Sequence, residues 1–133
     1  MLVKSIMWPN SRFAILRSDV MFKDALDAMN ETKLGIACIV DSKQKLIGVI
    51  TDGDIRRKLL NVQKPLSAFF VDDAIDHAIL DPTVCNIEDS LRGAIQIMEK
   101  KRIWDLPVVN EKKQLMGLLH LHPAVEALLF QSK

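Results

Sequence analysis

The chain has 133 residues, 49% of them hydrophobic and 26% charged, with a formal net charge of +1. That length suits one continuous core, and the composition is too apolar for disorder. The near-zero charge gives no field to draw the chain to nucleic acid or an anionic membrane surface, and neither is expected as a partner. The longest apolar runs, such as Leu34 to Val40, fall far short of the roughly 20 residues of a membrane helix. Met1-Leu2-Val3-Lys4 opens no signal-peptide pattern, because Trp8-Pro9-Asn10-Ser11 follows where an apolar stretch should run. The two cysteines, Cys38 and Cys85, form neither a CxxC pair nor a metal-ligand cluster, and they read as reduced, buried small hydrophobes. A cytoplasmic protein fits these features.

In chain order, residues 1–11 read as a leading arm, with Trp8-Pro9 packing back on the body. Ser18 or Asp19 offers an N-cap, and Phe22, Ala25, Leu26 and Met29 follow at the spacing of an amphipathic helix. Ile36-Ala37-Cys38-Ile39-Val40 reads as a strand and Asp41–Lys45 as a polar turn. The chain returns through Leu46-Ile47-Gly48-Val49-Ile50, a hairpin pattern. A second helix is expected near Asp54–Leu60. Residues 61–82 read as a linker containing Pro65 and a short helix around Asp72–Ile79.

The same order then repeats. Shifted by 69 residues, Phe22–Leu60 aligns without a gap on Leu91–Leu129, with eight of 39 positions identical. Asp89 or Ser90 offers the cap, and Leu91, Ala94, Ile95 and Met98 form the helical stripe. Leu106-Pro107-Val108-Val109 and Leu115-Met116-Gly117-Leu118-Leu119 form the hairpin. The closing helix falls near Pro123–Phe130, where proline suits a first turn. The fold class expected is α/β (α+β), with two β-α-β-β-α repeats, 12–60 and 83–130. Each is too small to hold a good core alone, so the two are expected to pack through their sheets as a pseudo-two-fold module.

These motifs resemble the cystathionine-β-synthase (CBS) domain family in its tandem-pair form. Family units carry an apolar strand ending in a Val-Val-Asp-like turn, then Gly, two apolar residues, Thr or Ser, two variable residues and Asp. The first copy matches through Ile39-Val40-Asp41 and Gly48-Val49-Ile50-Thr51-Asp52-Gly53-Asp54. The second matches through Val108-Val109-Asn110 and Gly117-Leu118-Leu119, then departs: His120 stands at the Thr51 position and Pro123 at the Asp54 position. Thr51–Arg57 also looks like the first unit of CBS pairs in arabinose-5-phosphate isomerases and some sugar-nucleotide transferases. Gly117–His122 looks like the second unit of those isomerases.

The resemblance implies a non-catalytic regulatory module that binds a nucleotide in a cleft between the copies. AMP, ADP or ATP, S-adenosylmethionine or a nucleotide sugar are the expected ligands. It also implies a homodimer and a partner or fused sugar-metabolism enzyme. Thr51 would meet a phosphate and Asp54 both ribose hydroxyls. Ile50, Asp52 and Gly53 flank them, Arg57 reaches phosphate, and Leu16, Ile36, Ala37 and Cys38 line the base. Thr51 and Asp54 are also common helix caps, and Arg56 and Arg57 also read as a solvated face. His120 is a candidate polar or phosphate contact in the second cleft. His120 and His122 would share one face if the strand runs that far, and no third metal ligand accompanies them. Asp52-Gly53-Asp54 lacks the spaced carboxylates of a calcium loop. Trp104 could stack on a base or cap the core, and packing is the expectation. Without a carboxylate at Pro123, the second cleft should hold a ribose weakly. The competing readings are a purely structural dimerisation module with no ligand, or a fragment of a sugar-phosphate isomerase or sugar nucleotidyltransferase. No nucleophile, base or paired-carboxylate arrangement points to catalysis.

Overall fold

The structure, a computed structural model, describes residues 1–131. The chain divides into two compact units, residues 11–82 and residues 1–10 together with 83 onward. The first unit runs β1 (Ala14–Arg17), α1 (Phe22–Thr32), β2 (Ile36–Val40), β3 (Leu46–Thr51) and α2 (Asp52–Asn61). It then continues through α3 (Leu66–Phe70), a 3₁₀ turn at Ala74–His77 and β4 (Ile79–Leu80). Its sheet has the order β1-β2-β3-β4, with β1 parallel to β2 and the other pairs antiparallel. The second unit repeats the plan as β5 (Cys85–Asn86), α4 (Leu91–Lys101), β6 (Asp105–Val109), β7 (Leu115–His120) and α5 (Leu121–Gln131). Its sheet has the order β5-β6-β7, parallel then antiparallel. The expected β-α-β-β-α order is present in both.

The parallel pair β1–β2 needs a crossover, and α1 supplies it. Its apolar stripe, Phe22, Ala25 and Met29, is buried against Ala37, Ile39 and Ile50. In the second unit Leu91, Ala94 and Met98 are buried against Leu106, Val108 and Leu119. Cys38 and Cys85 are buried thiols, and burial, aided by the Asp89 charge, pushes Cys85 up to about 12. Each hairpin is set by one side-chain acceptor. Asp41 Oδ1 accepts from the Lys43 and Lys45 amides at 2.8 and 3.0 Å. Asn110 Oδ1 does the same for Lys112 and Gln114 at 2.9 and 3.0 Å. The Asp-to-Asn change between copies therefore keeps the turn.

The start of α1 differs from the sequence expectation. Ser18 and Asp19 do not cap it: they lie in a turn, where Asp19 pairs with Arg17 at 2.7 Å. Met21 is the capping position, and Asp24 reaches back to its amide at 3.0 Å. At α4 the cap is Ser90, which accepts from the Gly93 amide at 3.0 Å, while Asp89 accepts from the Asn86 amide. The short helix expected around Asp72–Ile79 is a 3₁₀ turn, and α3 precedes it.

Residues 1–10 are built into the second unit. Leu91 N–H donates to Met1 O, Val3 N–H to Asp89 O, and Trp8 exchanges backbone hydrogen bonds with Leu118 at 2.8 and 3.1 Å. Val3 is fully buried, in a 3₁₀ turn. The first unit has the same construction from its own C-terminal stretch. Phe22 N–H donates to Asp72 O, Ala74 N–H to Val20 O, and β4 pairs with Gly48 and Val49. The segment preceding each repeat thus docks on the other repeat. Gly117 makes room for this. A Cβ there would lie 2.6 Å from Trp8 O and 2.8 Å from Met7 Sδ. Gly117→Ala is expected to cost about 1–3 kcal/mol in urea unfolding, because backbone must move. Gly35→Ala should cost much less, since its clash is with the exposed side chain of Asp52.

In the first unit, Asp72 accepts from Lys64 at 2.6 Å and pairs with His77 Nε2 at 2.7 Å. The Lys64 ammonium first, and His77 second, hold the Asp72 carboxyl below its ordinary 3.8. A depressed carboxylate stabilises the fold above its ordinary value, and that contribution fades as pH falls through the lower folded value. Lys64→Met is therefore expected to lessen the acid-induced loss of stability, read from urea midpoints between pH 5 and pH 2.

Candidate functional site

β3 ends at Thr51, and α2 begins at the next residue. Thr51 is the N-cap: its Oγ1 accepts from the Asp54 amide at 3.3 Å and donates to Asp54 Oδ2 at 2.7 Å. Asp54 Oδ2 also accepts from the Thr51 amide at 3.2 Å, completing a reciprocal capping box. The other oxygen, Oδ1, accepts from Arg57 Nη2 at 2.8 Å. Asp54 is only 9% exposed, whereas the Arg57 side chain is 59% exposed. The carboxylate is thus fixed by the helix start, while its cationic partner stands at the surface.

Gly53 matters to that partner. A Cβ at Gly53 would stand 3.1 Å from Arg57 Nη2, so the guanidinium lies across the bare glycine. Asp52 is exposed, and its amide donates to Gly35 O at 3.1 Å. Ile36 lies directly across the ladder from Thr51, and Ala37 from Ile50. Ile36, Ala37, Cys38 and Ile50 are all buried, and Leu16 on β1 is half-buried beside Ile39. The structure therefore gathers Thr51, Asp52, Gly53, Asp54 and Arg57 at one strand–helix junction, with Ile36 and Ile50 adjoining. Ala37 and Cys38 sit deeper in the sheet. His120 lies in the other unit, at the matching junction between β7 and α5.

There the chemistry differs. His120 Nδ1 pairs with Asp105 Oδ1 at 2.7 Å, and the Trp8 indole stacks on the imidazole with centroids 4.8 Å apart and planes at 21°. Asp105 was not foreseen, because its counterpart in the first repeat is the apolar Ile36. Counting back from the hairpin turn would have found it, since Asp105 pairs with His120 across the ladder. Trp8 carries no such local signal. The strand ends at His120, so the condition on which His122 would share its face is not met: His122 stands exposed on α5, 3.6 Å from Glu126. Trp104 does not pack; it is 69% exposed, although its carbonyl accepts from the Leu121 amide. Among the described residues there is no group of three or more His, Cys, Asp or Glu able to hold a metal. No helix among them is long and apolar enough to cross a membrane.

The two junctions with their shared strand order are those of a known family. The family model for the CBS domain matches residues 3–61 and 71–122. The chain belongs to the CBS domain family. As a CBS pair it is 36% identical over 114 residues to an uncharacterized protein of Helicobacter pylori strain J99, covering 84% of this chain and 33% of that protein. It is 36% identical over 99 residues to a probable arabinose 5-phosphate isomerase of Haemophilus influenzae, covering 74% of this chain and 28% of the isomerase. The chain spans about a third of the length of the curated relatives it matches. Among solved structures it is similar to CBSX2 in complex with AMP, at 25% identity and a TM-score of 0.84, covering 99% of this chain and 98% of that one. The CBS pair of MJ0100, solved with 5′-methylthioadenosine and S-adenosyl-L-methionine, shares the fold at 20% identity and a TM-score of 0.80, covering 100% and 98%.

Proposed function

We propose that this CBS pair is a regulatory nucleotide sensor, taking an adenine nucleotide or a sugar nucleotide at the β3–α2 junction. The observation that carries the reading is the Thr51–Asp54 capping box with Arg57 on its outer oxygen. Asp54 Oδ1 is an acceptor whose present partner is exposed and displaceable, so the two hydroxyls of a ribose can compete for it. Thr51, the positive end of the α2 dipole and Arg57 suit phosphate. Ile36 and Ile50 flank the junction, with Leu16, Ala37 and Cys38 behind them as the apolar lining for a base. Asp52 and Gly53 complete the turn. AMP bound to CBSX2 and S-adenosyl-L-methionine bound to the MJ0100 pair support this ligand class.

The chain acts as a cytoplasmic homodimer on a partner or fused enzyme of sugar metabolism; the isomerase relative supports the last part of this reading, the kind of enzyme. A ligand that favours one conformation shifts that enzyme's population of states in proportion to its differential affinity. The test is a thermal-shift screen with AMP, ADP, ATP, S-adenosylmethionine and nucleotide sugars. A ligand at a hundredfold excess over its Kd stabilises by about 2.7 kcal/mol, a readily seen shift. No shift with any of them would retire the sensor and leave a dimerisation scaffold.

A further inference from the structure

One guanidinium occupies the oxygen that a ribose would need. Asp54 Oδ2 is taken up by the Thr51 amide and hydroxyl, while Oδ1 accepts from Arg57 Nη2 at 2.8 Å. Three residues apart on α2, Asp54 and Arg57 share a helix face; Arg56, two positions from Asp54, falls on another. Gly53 makes the contact possible. A Cβ there would stand 3.1 Å from Nη2, 3.2 Å from Nη1 and 3.5 Å from Cζ, so the guanidinium head lies over bare backbone. The Arg57 side chain is 59% exposed against 10% for Asp54, so solutes reach the cation while the carboxylate beneath it is covered.

We propose that Arg57 is a built-in competitor for the ribose oxygen, and that this contact makes the β3–α2 junction select nucleosides carrying a phosphate over neutral or cationic ones. The proposal rests on the nucleotide reading of that junction. A ribose diol that takes Oδ1 turns Arg57 out. With a phosphate on the same ligand, the guanidinium exchanges one anionic partner for another and keeps a charge-assisted contact. Adenosine returns nothing to it, and the sulfonium of S-adenosylmethionine brings a second cation towards it. The Arg57–Asp54 pair is thus an autoinhibitory contact that phosphate relieves.

The test is calorimetric titration of the unaltered chain and of Arg57→Met with AMP, adenosine and S-adenosylmethionine. In the unaltered chain AMP is expected to bind more tightly than adenosine, and S-adenosylmethionine less tightly than adenosine. In Arg57→Met the effects should cross. Adenosine and S-adenosylmethionine gain about threefold, the scale of an exposed ion pair no longer to be broken. AMP weakens, and its preference over adenosine falls about tenfold, the value of one charge-assisted hydrogen bond. Damage to the fold or to the shape of the junction would weaken all three ligands together and cannot produce that crossing. Equal affinity for AMP and adenosine in the unaltered chain overturns the proposal. So does a preference that Arg57→Met leaves unchanged, or a variant in which adenosine weakens along with AMP; in each of these cases the nucleotide site itself still stands. Absence of AMP binding to the unaltered chain removes that site, and the proposal with it.

Discussion

Asp54→Ala is expected to weaken nucleotide binding about a hundredfold while lowering stability by only about 1–2 kcal/mol. The two effects come from different oxygens. Oδ2 serves the helix start, and losing it strands the Thr51 amide, a cost on the scale of one cap. Oδ1, which accepts from Arg57 here, is the oxygen the proposed site offers to a ligand, and a hydroxyl bonded to a carboxylate is worth about 1.5–3 kcal/mol. Arg57, released from its partner at 2.8 Å, recovers part of that loss by turning to solvent or phosphate. Asp54→Asn separates the roles, because its amide oxygen can still accept from Thr51 while the charge is gone. Calorimetric titration with AMP, beside urea unfolding of the same three chains, reads both quantities. Equal AMP affinity in all three would make Asp54 a helix cap and nothing more.

The largest stability effect is expected at Phe22. Its ring is 1% exposed, lies 4.7 Å from the His77 ring, and packs in the cluster with Ala25, Ile39 and Phe69. Phe22→Ala removes that surface from the core and opens a cavity, which costs about 3–5 kcal/mol. The neighbourhood can hardly collapse to fill it. Phe22 is tied by its amide to Asp72 O, and His77 is held by the Asp72 carboxylate on one side. His77 Nδ1 is buried with no partner among the described residues, so water entering the cavity would find an unpaired ring nitrogen waiting. Since a domain of this size is stable by about 5–15 kcal/mol, the variant loses a large share of its margin. Leu91, equally buried at the same position of the second repeat, is expected to cost about 2–5 kcal/mol as Leu91→Ala. Urea midpoints measure both.

Long periodic elements were legible in the sequence. The apolar stripes of α1 and α4, the paired hairpins and the helix after each junction follow from 3.6- and 2-residue spacing, and finding them twice reinforced each reading. Elements too short for a period were not. α3 spans five residues, and β4 and β5 two each. The α1 cap was misplaced because Ser18 and Asp19 are good capping residues, while the helix start is fixed by Asp24 reaching back to Met21. At the candidate site, Thr51 and Asp54 were readable because motif and capping box share one short stretch of chain. The His120 partners were harder. Asp105 required strand register, and Trp8 arrives from 112 positions away in sequence, a contact that pattern alone does not encode. His122 was tied to the strand by alternation, yet the strand stops at His120 and the chain turns into α5.

The most direct test is an amide correlation spectrum of the uniformly ¹⁵N-labelled chain during titration with AMP. The Thr51, Asp52, Gly53 and Asp54 amides are expected to shift most and saturate together, with the Arg57 side-chain resonance moving as its guanidinium leaves Asp54. Saturating shifts that spare these residues, or no shifts at all, would contradict a nucleotide site at this junction.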